Sequence, residues 1–188
     1  VASGVLEAAV ADDQVLSNTV TMTAPEGSGV SVAGDPSATG TVSVPKYGIS
    51  KQGTPLNSST MAWEIVVNEG GVGAAKDVVV YDRLDARATY SDGTLKVNGT
   101  SVTVFDSAPD PAPSGTYAVI TAEDAGTHLL EVRFAGTVSA EQRITFETDI
   151  DTGLMEDVDV AFPNEAWITF AWPNGYGPDP SSFKPLNI

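Results

Sequence analysis

Three polar side chains occupy positions where strand parity predicts burial. Lys51 shares a face with Ile49, Asp82 with Val78 and Val80, and Asn164 with Ala166, Ile168 and Phe170. An isolated ammonium or carboxylate in a dry interior costs several kcal/mol unless it is paired or neutralised. Such positions therefore imply either a closed hydrogen-bonded cluster or a reaction that removes the charge. Other chemistries are poorly supplied. The chain has no Cys, which excludes a disulfide frame, a thiolate nucleophile and a thiolate metal site. One His, His128, leaves little room for His-based catalysis or metal binding, and its place before Leu129-Leu130 reads as a strand position.

The elements that must carry these residues are strands. Gly and Pro supply 18 and 12 of the 188 residues, and Val and Thr are frequent, which favours strands joined by turns. Alternating or continuous apolar runs closed by Gly, Pro, Asn or Asp predict strands over Val15–Thr23, Thr41–Val44, Met61–Asn68, Asp77–Leu84, Thr94–Val97, Ser101–Phe105, Tyr117–Thr121, His128–Ala135, Arg143–Ile150 and Glu165–Trp172. Helix is expected at most as one turn within 121–126. The dipeptides Asp92-Gly93 and Asn98-Gly99 suit positive-φ hairpin positions and predict a tight meander mid-chain. The spacing is that of an all-β, immunoglobulin-like antiparallel β-sandwich.

A weak internal repeat shapes the domain reading. The stretch from Gly4 to Met22 resembles the one from Arg143 to Phe170: a strand, an acidic loop, then Asn followed by a strand, with Asn18 at the place of Asn164. Residues 1–40 are thus expected to be strands of a preceding repeat plus a linker, 41–175 the complete sandwich, and 176–188 a C-terminal extension or linker. The chain reads as a segment of something longer. The Leu16, Asn18, Val20, Met22 face needs a partner, either the main domain or a neighbouring chain receiving a donated strand, unless the segment is an extended polar tail.

At this point the residues resemble a known family. Ile49-Ser-Lys51-Gln-Gly, Met61-Ala-Trp63-Glu-Ile-Val-Val-Asn68, Asp77-Val-Val-Val-Tyr-Asp82-Arg-Leu, Arg143-Ile-Thr-Phe-Glu-Thr and Asn164-Glu-Ala-Trp together resemble the immunoglobulin-like modules of Gram-positive surface adhesins of the collagen-adhesin type, over roughly residues 45–172. The resemblance implies an intramolecular isopeptide bond, with Lys51 as amine, Asn164 as acyl donor and a buried Asp82 as the assisting acid. Burial raises the Asp pKa above ~4 and lowers the Lys pKa below ~10, so a neutral acid can face a neutral, nucleophilic amine. Trp63, Phe146 and Phe170 suit a water-excluding wall. Lys46 is a rival amine, and Pro163 before Asn164 departs from the family pattern. The competing arrangement is Lys51 at a strand edge, salt-bridged to Asp82, with Asn164 merely ending a loop.

The remaining signals are weaker. Glu147, Asp149, Asp151, Glu156, Asp157 and Asp159 invite a calcium reading, but the register beyond Gly153 departs from the EF-hand pattern, so a solvated acidic loop and no metal are expected. The carboxylates from Asp149 to Asp159 read as a single surface loop, which argues against a glycan-cleaving pair. No cofactor is implied. The Pro-rich loop 106–114 is either a ligand-contacting tip or a stiff connection. With 9 Lys+Arg against 25 Asp+Glu and a net charge of −16, nucleic acid and anionic membrane are poor partners. No apolar run approaches the ~20 residues of a membrane span. The expectation is a non-enzymatic, extracellular cell-surface module of an adhesin, pilus or stalk. Its partners would be neighbouring domains and a matrix or host surface polymer; alternatively it is a ligand-free spacer, assembling by strand donation.

Overall fold

The computed structural model describes residues 14–21, 37–44, 48–71, 73–123, 126–151, 153, 164–171 and 186–187. The chain divides into two compact units, Val10–Lys46 and a larger one holding Tyr47–Ile188. The smaller contains an antiparallel pair, β1 (Gln14–Thr21) and β2 (Ser37–Val44), in unbroken register from Gln14↔Val44 to Thr21↔Ser37. The strand partner of β1 is therefore local. Residues 37–40, expected as linker, are the first half of β2.

The larger unit runs β3 (Ile49–Asn57), β4 (Thr60–Val67), β5 (Ala75–Leu84), β6 (Ala88–Tyr90), β7 (Lys96–Val97), β8 (Thr100–Ser101), β9 (Val104–Phe105), β10 (Tyr117–Ala122), β11 (His128–Arg133), β12 (Thr137–Val138), β13 (Gln142–Ile150), β14 (Glu165–Ala171) and β15 (Leu186–Asn187). One sheet has the order β3-β4-β13-β7-β8, with β6 also on β13; the other has β15-β14-β5-β11-β10-β9, with β12 also on β5. All pairings are antiparallel except β9 with β10. No α-helix occurs among the described residues, and a 3-10 turn lies at Glu69–Gly71. No helix there is long and apolar enough to cross a membrane. The architecture is the immunoglobulin-like β-sandwich expected from the sequence.

Period-two burial joins the sheets. Val78, Val80, Asp82 and Leu84 of β5 are buried on one face, as are Ala166, Ile168 and Phe170 of β14. Trp63, Ile65 and Val67 of β4 and Ile144, Phe146 and Thr148 of β13 are buried from the opposing sheet. The apolar members form one continuous core, and each large one contributes about 1.5–3 kcal/mol by leaving water. Asp82 lies at the centre of its sheet, because β5 is flanked by β14 and β11.

Two expectations need correction. The run Ser101–Phe105 is not one strand. Thr100–Ser101 pair with β7, whereas Val104–Phe105 pair parallel to β10 in the other sheet. Val102 and Val104 turn toward the core, and the Thr103 carbonyl takes the Ala118 N–H at 2.9 Å, so the chain changes sheets within three residues. Second, β3 continues through Gly53 and Pro55 to Asn57, a stretch without strand alternation. It is the edge strand of its sheet, where Pro is tolerated and a missing donor harms nothing. The Asn98-Gly99 hairpin is as expected, with φ of 51° and 78° between β7 and β8.

Candidate functional site

Lys51 stands on β3 opposite Ile65 of β4 and points into the sandwich. Asp82 stands on β5 opposite Leu130 and Ala166. The Lys51 Nζ crosses the gap between the sheets and lies 2.5 Å from Asp82 Oδ2, with both side chains at 0% and 1% exposure. Asn164 is 3% exposed and directly precedes Glu165, which pairs with Arg83. Extending that register places Asn164 on the same face as Asp82 and diagonal to it across the β5–β14 pair. The Trp63 ring covers the amine at 4.4 Å and the Phe146 ring lies 5.9 Å from it.

Burial dominates the electrostatics. Desolvation pushes the Lys51 pKa down to about 8, although the neighbouring Asp82 carboxylate pulls the other way. Desolvation likewise raises the Asp82 pKa above the ordinary carboxylate value, opposed by attraction to Lys51. Two oxygens remain unmatched: Asp82 Oδ1 and Asn164 Oδ1 have no hydrogen-bond partner among the described residues. A buried acceptor left in that condition costs about 1–3 kcal/mol. Both are acceptors, so two such oxygens cannot satisfy each other until a proton is placed between them. A protonated Asp82 supplies it.

Lys51 and Asp82 are thus brought together, and Asn164 shares their interior. Features of both sequence readings coexist here. Lys51 is on an edge strand and bonded to Asp82, but its amine is fully enclosed, and Asn164 is buried with an unmet carbonyl. Lys46 and Pro163 lie outside the described residues, as do Glu156, Asp157 and Asp159. Asn18 falls within the backbone of β1, in the other unit. Asp149 and Asp151 are exposed, and Asp151 Oδ1 accepts the Gly153 N–H at 2.9 Å, a local turn bond. His128 is half-buried at the start of β11.

Three residues of the larger unit escaped the sequence reading. Thr148 is polar on the apolar face shared with Phe146 and Ile150, fully buried, and accepts the Trp63 Nε1–H at 3.0 Å. Parity alone marks it. Gly53 faces Trp63 across the β3–β4 pair, and a strand glycine opposite a large ring signals close approach. Asn68, fully buried, brackets Gly73 by accepting its N–H and donating to its carbonyl, at 3.2 and 3.0 Å. An open groove of about 380 Å³ is lined by Gln52, Thr54, Glu64, Lys96, Thr145 and Glu147, together with Trp63 and Phe146.

No protein-family model and no curated protein matches the sequence. Among solved structures the chain is similar to the collagen-binding domain of a Staphylococcus aureus adhesin, at 14% identity and a TM-score of 0.45, covering 77% of this chain and 93% of that one. It is also similar to a collagen adhesin structure from Staphylococcus aureus, at 14% identity and a TM-score of 0.49, covering 80% of this chain and 53% of the other. A third is a backbone pilin of Streptococcus pyogenes, at 13% identity and a TM-score of 0.45, covering 73% of this chain and 32% of the pilin. What the site can do is decided by its own residues.

Proposed function

We propose that the larger unit is a module of a cell-surface adhesin, pilus or stalk, stapled by an intramolecular isopeptide bond between Lys51 and Asn164, with Asp82 as the proton-transfer group. The supporting observation is the enclosed Lys51 amine, 2.5 Å from Asp82, in the same interior as an Asn164 carbonyl without a partner. A cross-link removes every cost at once. The buried ammonium becomes an amide, and the carboxylate becomes a neutral acid with acceptors to bond.

The chemistry balances without a cofactor. Neutral Lys51 donates one N–H to Asp82 Oδ2 and keeps its lone pair for the Asn164 Cγ. Protonated Asp82 hydrogen-bonds the Asn164 carbonyl and stabilises the oxygen as it gains charge. The amine proton passes to Asp82 and on to the departing amide nitrogen, which leaves as ammonia. One C–N bond forms and one breaks, and it happens once per molecule, so this is self-modification and not turnover.

Intact mass tests this directly. Folded wild-type protein is expected to be lighter than its sequence by one ammonia, about 17 Da, while Lys51→Ala and Asn164→Ala keep the full mass. An unmodified mass in correctly folded wild type overturns the bond. Full ammonia loss in Asp82→Ala overturns the role of Asp82 alone.

Attachment is the purpose such a staple serves in a surface protein, with an extracellular matrix or host polymer as ligand. The groove along Gln52, Thr54 and Lys96 is where such a ligand would be sought. Collagen, named in two of the similar structures, is the first polymer to try. Retention on immobilised collagen or another matrix polymer, lost on Lys96→Glu, supports attachment. Absence of retention across a matrix panel favours the spacer.

A further inference from the structure

The inner face of β3 carries Lys51 and then Gly53, and Gly53 is directly opposite Trp63. A methyl group built on Gly53 would lie 2.5 Å from Trp63 Cζ3, 2.9 Å from Cε3 and 3.1 Å from Cη2. Real side chains do not approach that closely, so the indole occupies the space that any other residue at 53 would need. The opposite edge of the same ring is tied down, because Trp63 Nε1–H donates to Thr148 Oγ1 at 3.0 Å and Thr148 is fully buried. Between these two restraints the ring face lies 4.4 Å from Lys51 Nζ. An indole with one edge on a glycine and the other on a buried hydroxyl has a single orientation, and a long flexible Lys is fixed by what covers its end.

We infer that Gly53 and Thr148 are positioning residues for the cross-linking reaction: they seat Trp63 as a rigid lid that holds the Lys51 amine against Asp82 and keeps water out. This rests on the isopeptide reading of Lys51, Asp82 and Asn164. Gly53 and Thr148 take no part in the proton transfers. They act through the ring, and displacing it by an ångström lets the amine wander and wets the site. Misplacement on that scale slows a pre-oriented reaction by on the order of a hundredfold.

The test follows ammonia loss by intact mass in freshly folded protein over a series of pH values. Gly53→Ala and Thr148→Val are each expected to fold but to cross-link at least about tenfold more slowly than wild type. Their rate should need a higher pH, because a wetter amine holds its proton longer. Trp63→Phe, which keeps an aromatic ring but has no N–H for Thr148, is expected to be slowed as Thr148→Val is. If Gly53→Ala and Thr148→Val both react at the wild-type rate with the wild-type pH profile, the lid is overturned while the cross-link stands. Should Gly53→Ala fail to fold, Thr148→Val alone decides between these outcomes. A wild-type protein that never loses ammonia overturns the cross-link and the lid together.

Discussion

At the scale of single residues, the buried pair has a stability signature that survives without the covalent bond. Asn164→Ala removes the acyl group but leaves Lys51 beside Asp82. The Lys51 pKa falls from 10.5 in the open chain to about 8 when folded. Between those values the unfolded chain holds a proton that the folded one has released, so stability rises with pH across that window. Below about 8 the burial penalty is present in full. Asp82 has the opposite sign: its raised pKa means the folded state binds the proton more tightly, so its contribution is most favourable in acid and is lost as pH rises through the folded value. Urea unfolding of Asn164→Ala is expected to show a gain of roughly 3 kcal/mol from pH 8 to 10.5. Lys51→Met in the same background should lack that gain. A gain of equal size in the double variant would assign it to other groups.

At the scale of elements, the Asn98-Gly99 turn shows how local chemistry sets the frame around the site. Asn98 at φ 51° accepts the Arg143 N–H on its side-chain oxygen at 2.9 Å, and donates its own N–H to the Arg143 carbonyl at 2.8 Å. Its amide nitrogen also donates to Gln142 Oε1 at 2.8 Å. One residue thus supplies a left-handed turn position and pins the β7–β8 hairpin to β13. Asn98→Ala loses the turn preference and two side-chain bonds, and is expected to cost about 1–2 kcal/mol by urea unfolding. Ammonia loss should be unchanged, since Lys51, Asp82 and Asn164 lie on other strands; a slowed reaction would mean that the hairpin shapes the site. This turn was legible because its geometry demands particular residues. The period-two burial of β5, β13 and β14 was legible for the same kind of reason, and so was the inward direction of Lys51, Asp82 and Asn164. What the sequence concealed is non-local. The switch of Val104 to the other sheet depends on the Thr103 carbonyl meeting Ala118, and the reach of β3 depends on its being an edge. Gly53 and Trp63 are adjacent only through cross-strand register.

At the scale of the molecule, the proposed bond joins an early strand of the sandwich to a late one, and the strands between them lie inside the closed loop. A covalent loop of about 110 residues removes chain entropy from the unfolded state and, by the disulfide relation, stabilises by roughly 4–5 kcal/mol. For a chain of this size that corresponds to about 10–20 °C in melting temperature, to be read as the difference between wild type and Asn164→Ala. The mechanical consequence is larger than the thermal one. Force applied at the termini enters at β3 and leaves at β14 through the side-chain amide, bypassing the core. In single-molecule pulling, wild-type protein should yield no extension from the residues inside the loop. Asn164→Ala should release them in an unfolding event with roughly 390 Å of added contour, at about 3.5 Å per residue. An event of that length in cross-linked wild type would mean that the staple does not lie in the load path, and a surface stalk would gain nothing from it.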